Sequence, residues 1–420
     1  MKCSPKTRFV AFLFASALVG VASAEMMDRP VGVKIGQRMT LRPYVSFGFT
    51  YDSNHDQQNS SKPTTSWTVN PAIDLDYKAD NWNLDLNLFY GYRHYDEYQR
   101  VLNSHSYGES LRYRWSNTTQ AEKGWSLMLT EQFRRIAEDD DMQVNNGRGL
   151  WRDRQQFDIS GALQRRITES LHADVNASYY YLDYDNDEES YAALYGWQRW
   201  AGGLEFGYAA SKWTDILIAG SYQRYYQEND SDLTGRNVYY PDSRSYSHES
   251  EGWTISAGLG SWMTDRISYR LLGGWSYFNY GDVQSCNGFV YQGSLNWRIS
   301  ETWRMMLLAS SHYQPSEREY GSANRVDMIS WGVSKSLIRN SLGATLDLAY
   351  RRETREVCDS SSWNYDEDIF SARLGLNYRL NRYFSIFGNV EYQGCWFDGD
   401  TGLDRDYNRF RGTVGFRLAY

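Results

Sequence analysis

Cysteine is scarce in this chain, four among 420 residues, which excludes a disulfide-built scaffold. Cys3 falls in the leader described below. That leaves Cys286, Cys358 and Cys395, an odd number that closes at most one internal bridge. Proline is scarcer for its class, seven in all, so few segments are barred from continuous backbone pairing. The six histidines, His55, His94, His105, His172, His248 and His312, show no His-x-x-x-His spacing, so no metal centre and no cofactor is expected from them. Long apolar runs are missing too. Beyond the first 24 residues nothing approaches the roughly 18 consecutive apolar residues of a spanning helix, which excludes a helical inner-membrane protein. Basic charge is also in deficit: 44 Lys and Arg face 52 Asp and Glu, a formal charge of −8, so nucleic acid is not an expected partner.

What is present begins with a leader. Lys2, Lys6 and Arg8 precede an apolar run from Phe9 to Val21 and then Ala22-Ser23-Ala24. This is the order of a cleavable secretory signal peptide, so residues 1–24 are expected to be removed. No cysteine stands at that junction, and a lipid anchor is not expected. Residues 25–38 would form a short periplasmic segment, and 39–420 the folded body. Aromatics make up 16% of the chain, with 35 Tyr and 16 Trp, more than a globular core needs but what the interfacial belts of a membrane protein use.

Alternation carries the fold assignment. From Trp82 the chain reads W-N-L-D-L-N-L-F-Y-G-Y, with Trp82, Leu84, Leu86, Leu88, Tyr90 and Tyr92 on one face of a strand and Asn83, Asp85, Asn87 and Gly91 on the other. The period of two returns at Pro43, Val45, Phe47, Phe49, Tyr51, and at Val175, Ala177, Tyr179, Tyr181. It returns again at Leu342, Leu346, Leu348, Tyr350, and at Leu374, Leu376, Tyr378, Leu380. About eighteen such segments fall near 39–53, 66–79, 81–95, 105–118, 124–137, 150–167, 170–184, 191–210, 213–227, 245–263, 266–281, 286–299, 302–315, 324–337, 341–354, 366–380, 383–397 and 406–420. An even count suits a single-chain outer-membrane barrel.

Short connections such as Ala79-Asp80-Asn81 and Thr168-Glu169-Ser170 alternate with longer polar ones near 53–65, 138–149, 228–244, 355–365 and 398–405. These read as the periplasmic and extracellular ends of an all-β, up-and-down transmembrane barrel with both termini periplasmic. Trp82, Trp115, Trp125, Trp213, Trp297 and Trp303 sit beside the short turns; Tyr51, Tyr92, Tyr277, Tyr313, Tyr350 and Tyr392 sit toward the long loops. Two aromatic girdles are the expectation.

The final segment puts Phe410, Val414, Phe416, Leu418 and Tyr420 on one face. Phe416, Leu418 and the terminal Tyr420 resemble the C-terminal signal read by the barrel assembly machinery, an expected partner beside outer-membrane lipid and lipopolysaccharide. The opening strand, Arg42-Pro-Tyr-Val-Ser-Phe-Gly-Phe-Thr-Tyr51-Asp52-Ser53-Asn54, is similar to the start of the putative β-barrel porin 2 family, whose members open on an alternating strand ending in a Tyr-Asp-x-Asn-like turn. The resemblance implies an outer-membrane barrel of a family often met in polysaccharide export, and implies fold more than activity.

The face opposite the lipid would line a polar lumen. Asp74, Asp76, Asp85, Asp174 and Asp215 come mainly from early strands, and Arg304, Arg373, Arg379, Arg409, Arg411 and Arg417 from late ones, with Arg112 and Arg114 as exceptions. Segregated walls would set up a transverse field that orients hydrated solutes; the plainer reading is that these groups pair between neighbouring strands and only wet the interior. Passive passage of hydrophilic solutes, oligosaccharides among them, is the leading expectation, as for barrels of this strand number.

The alternatives are a plugged structural or export-associated barrel working through a partner complex, and a surface receptor or adhesin using the loops around Tyr239-Tyr240 and Trp363. Catalysis is the weakest, since Ser247, His248 and Glu249 would alternate faces on one strand. The acidic runs 138–141 and 185–189 lack the ligand spacing and central Gly of an EF-hand loop. Cys358 and Cys395 lie toward the outer end and could bridge there. A homotrimer is the usual porin assembly, although no interface is legible.

Overall fold

The computed structural model describes residues 32–54, 63–96, 103–117, 124–137, 153–184, 197–227, 249–264, 266–280, 284–315, 323–338, 341–356, 365–399 and 406–420. Within them are nineteen strands and no helix. They are β1 (Val33–Ile35), β2 (Met39–Asp52), β3 (Thr64–Lys78), β4 (Trp82–Tyr95), β5 (Asn103–Ser116), β6 (Trp125–Ala137), β7 (Asp153–Arg166), β8 (Leu171–Tyr184), β9 (Trp197–Ala209) and β10 (Asp215–Gln227). There follow β11 (Glu249–Thr264), β12 (Ile267–Tyr280), β13 (Gln284–Arg298), β14 (Trp303–Pro315), β15 (Ala323–Ile338), β16 (Leu342–Glu356), β17 (Tyr365–Arg379), β18 (Phe384–Gly399) and β19 (Tyr407–Ala419).

Each of β2–β19 pairs antiparallel with its sequence neighbours, and β19 returns to pair with β2 from Arg411↔Asp52 to Ala419↔Tyr44. Eighteen strands thus form a closed barrel with no edge for a further chain to pair with. All eighteen overlap the alternating segments, with ends that differ by up to six residues, the largest difference being at β9, which starts at Trp197 where the alternation begins near 191. The small β1 pairs Val33↔Leu41 to Ile35↔Met39, covering the stretch of β2 just below the point where β19 stops. Its turn holds Gly36 at φ 67°, a left-handed position that favours glycine. The first barrel residue and the last residue of the chain stand at the end that carries the short turns.

Paired residues share a face, so the register carries one polarity around the whole ring. The outer face is apolar and open: Phe49, Leu204, Phe206, Ile216, Ile218, Leu271, Phe289, Leu374, Val414 and Phe416 are all exposed, an arrangement that only lipid stabilises. Among the girdle residues Trp213, Trp297, Trp303, Tyr51, Tyr350 and Tyr392 are exposed on that side.

Tyr313 departs from the girdle expectation, being only 1% exposed. The β13–β14 ladder stops at Gln292↔Ser310, short of the long-loop end, while β14 stays paired to β15. Where the wall loosens, the Tyr313 ring turns into an apolar cluster. Gly288 leaves room for it, since a Cβ there would stand 2.6 Å from the tyrosine oxygen.

Candidate functional site

The candidate site is the inner wall. Register places Asp74 and Asp76 of β3, Asp85 of β4, Arg112 and Arg114 of β5, Asp174 of β8 and Asp215 of β10 on the inner face. Arg304 of β14, Arg373 and Arg379 of β17, and Arg409, Arg411 and Arg417 of β19 share it. The structure adds their partners, which depend on strands distant in sequence.

Along the arc from β16 through β19 to β5 these groups pair locally. Arg373 and Arg411 bracket Glu391 at 2.9 and 2.8 Å, as cross-strand neighbours on β17, β18 and β19. Arg409 holds Asp52 through Nε, at 3.0 and 2.9 Å, and through a terminal nitrogen. Arg42 pairs with Asp76, and Asp74 accepts from Asn87 Nδ2 at 2.5 Å. Arg114 stands 3.9 Å from Asp85, and Arg351 pairs with Glu353 at 2.7 Å. Arg417 lies over the Tyr44 ring at 5.0 Å, and Arg379 donates to the Asn381 carbonyl in the short turn at 3.4 Å. Acidic and basic walls are therefore interleaved by pairs such as Arg42 with Asp76 and Arg373 with Glu391. The transverse field expected from segregated charge is reduced to what the pairs leave over.

The opposite arc differs. Leu182, Trp197, Tyr225, Phe278, Cys286, Val290 and Tyr313, contributed by six strands from β8 to β14, make one buried apolar cluster. Trp197 meets Tyr225 at 5.5 Å, and Tyr225 meets Phe278 edge-on at 5.8 Å. Gln223 Nε2 of β10 donates to the Tyr313 carbonyl of β14 at 3.5 Å, so these two strands approach each other across the inside of the ring. The lumen is thus narrowed by aromatic side chains toward the long-loop end of β8–β14 and polar along the remaining arc. No sequence signal marks this cluster, because most of its members stand one or two to a strand on otherwise polar inner faces and Tyr313 lies in phase with the lipid face of its own strand.

Cys395 is buried and its thiol donates to Glu367 Oε1 at 3.2 Å. Cys358, its expected bridging partner, lies outside the described residues. So do the acidic runs 138–141 and 185–189, Tyr239-Tyr240, Trp363, Ser247 and His248. Phe416 stacks on Phe47 at 4.9 Å across the β19–β2 seam, and Tyr420 is 70% exposed.

Residues 232–420 match the family model described as Putative beta-barrel porin 2. That is the C-terminal part of the ring, and it does not include the opening strand that carries the sequence resemblance. No curated protein matches the chain. Among solved structures, a ferric enterobactin receptor (PfeA) mutant from Pseudomonas aeruginosa in complex with enterobactin is similar at 8% identity and TM-score 0.46, covering 92% of this chain and 82% of that one. OpdK of Pseudomonas aeruginosa with vanillate is similar at 9% identity and TM-score 0.43, covering 90% and 99%. The siderophore receptor PirA of the same organism is similar at 8% identity and TM-score 0.43, covering 92% and 81%. The closed ring and its apolar exterior make this protein a transmembrane β-barrel of the outer-membrane type, and the family match over its C-terminal part agrees with that fold.

Proposed function

We propose that the protein provides a passive path for hydrophilic solutes, oligosaccharides among them, along the polar arc of its lumen. The observation that carries this reading is the contiguous inner face from β16 through β19 to β5. It is lined by ion-paired Arg, Asp and Glu with Asn, Ser and Thr between them, whereas a sealed core would be apolar. Paired charges keep the wall wet without binding any one ion tightly, which suits passage of neutral, hydrogen-bonding solutes. In this reading the short turns and both chain ends face the periplasm, and the terminal strand is the one that the assembly machinery engages. The lipid face stands against lipopolysaccharide and, in a trimer, against neighbouring copies.

A second reading, a barrel that opens only with a partner, is favoured by one observation, the aromatic narrowing built on Trp197, Tyr225, Phe278 and Tyr313. Planar-bilayer recording of the refolded protein separates the two. Stable conductance steps whose reversal potential shifts toward cation selectivity in Arg112→Glu and Arg373→Glu support the open path. A folded barrel that conducts nothing supports the partner-dependent one.

A further inference from the structure

Near the short-turn end of the β8–β9 hairpin, away from the paired charges described above, three inward side chains converge. His172 and Asp174 stand two apart on β8 and therefore share its inner face. Asp174 is in register with Glu205 of β9, and His172 with Gly207. One ligand atom from each of His172, Asp174 and Glu205 lies within 4.8 Å of the others. Gly207 is what admits the imidazole: a Cβ at that position would stand 2.0 Å from Cε1 and 2.2 Å from Nε2 of His172. Any larger residue there would push the ring out of the cluster.

The charge balance of this cluster is incomplete. Asp174 and Glu205 are 5% and 1% exposed, and two carboxylates directly opposite on paired strands repel. Glu205 is answered by Arg270 of β12 at 2.6 Å, and Arg270 is itself held by Gln292 Oε1 at 2.6 Å. Asp174 has no counterpart of that kind. Both of its oxygens are buried without a close hydrogen-bond partner, and only the weaker influence of Gln164, its register neighbour on β7, and of Arg270 reaches it. Ala219, opposite Glu205 on β10, belongs with Leu217 and Leu272 to a small apolar patch, so the surroundings compensate little. A buried carboxylate left without donors is costly. Two anions against one guanidinium leave one negative charge to be met, with an imidazole nitrogen facing it.

We propose that His172, Asp174 and Glu205 bind a divalent transition-metal ion of the zinc type on the inner wall of the barrel. One imidazole and two carboxylates suit such an ion, whereas Ca²⁺ and Mg²⁺ favour all-oxygen sites. Bonds of about 2.0–2.2 Å hold ligand atoms about 3–3.5 Å apart, so the side chains close by roughly an ångström on binding. Three protein ligands leave a coordination position for water or for a donor group of a passing solute.

Zn²⁺ titration of the purified, refolded protein by calorimetry tests the site, with Co²⁺ absorption in the visible as a second readout and heat-modifiable gel migration as the check of folding. The expected result is one ion per barrel, bound at least tenfold more weakly by Asp174→Asn and by His172→Gln, with the Co²⁺ bands lost in both. Asp174→Asn keeps the shape, removes the charge that Arg270 does not pair with directly, and leaves an amide that can still bond to Gln164. It should fold at least as well as the parent, and it carries the test alone if His172→Gln does not assemble. Absence of saturable Zn²⁺ binding by the parent protein, or equal binding by folded Asp174→Asn, overturns the proposal.

Discussion

The guanidinium of Arg409, in the last strand, grips the carboxylate of Asp52, at the end of the first long strand, and both side chains are about 5% exposed or less. Around this pair the seam is tied by a Thr50–Thr413 hydroxyl contact at 2.9 Å and by Asn54 Nδ2 donating to the Asn408 carbonyl at 3.0 Å. Ser53 N also donates to the Phe410 carbonyl at 2.9 Å. The pair sits where the ring closes, so it joins segments that lie at opposite ends of the sequence. Removing one partner leaves a buried charge unanswered, which costs about 3–5 kcal/mol. Arg409→Ala and Asp52→Ala should each lower the temperature at which the unboiled protein loses its distinct gel migration. The double change Asp52→Leu with Arg409→Met should recover much of that loss. Equal stability of parent and single variants would remove the pair from any role in closure.

Glu391, held between Arg373 and Arg411, predicts a change in permeation rather than in folding. Glu391→Gln keeps hydrogen-bond acceptance and adds one net positive charge to the lumen wall. The reversal potential in a salt gradient should move toward anion preference, by more at low ionic strength, where screening is weak. Gel migration should be unchanged. No movement of the reversal potential would mean that ions do not pass this arc.

Tyr313 sets the narrowing. Tyr313→Ala removes the ring that meets the Gly288 backbone and the Phe278–Tyr225 cluster. Single-channel conductance should rise, and stability should fall by about 3–5 kcal/mol, as for other buried aromatic truncations. Gly288→Val should have the opposite structural effect, forcing the ring away by crowding. Conductance equal to the parent in both variants would place the limiting section elsewhere in the lumen.

The final strand separates recognition from packing. Tyr420 is 70% exposed, whereas Phe416 stacks on Phe47 at 4.9 Å and on Phe384 at 5.8 Å. Tyr420→Ala should reduce the amount of barrel assembled in cells while leaving the thermal stability of purified protein within about 0.5 kcal/mol of the parent. Phe416→Ala should reduce both. If Tyr420→Ala assembled normally in cells, the terminal aromatic would not be the recognised feature.

Most of the fold was legible because strand periodicity is local. A residue's side of the sheet follows from counting by two, so Trp82 to Tyr92 and Leu374 to Leu380 could be assigned to the lipid face without knowing any neighbour. The short turn at Thr168–Ser170 likewise marks its hairpin in sequence, with the Thr168 hydroxyl accepting from Leu171 N at 3.0 Å. The exception, Tyr313, obeys the period along its own strand. Only the early end of the β13–β14 ladder, a property of two strands together, turns its ring into the interior.

By itself, the sequence determined the alternation of faces, the eighteen long strands and the polarity of the inner wall, since each follows from residues close together in the chain. The tertiary structure alone decided which charges answer one another: Arg409 with Asp52, Arg270 with Glu205, and the grouping of His172 with Asp174 and Glu205 over Gly207. Those relationships depend on inter-strand register and on closure of the ring, and a single step in register would exchange every one of them for a different neighbour.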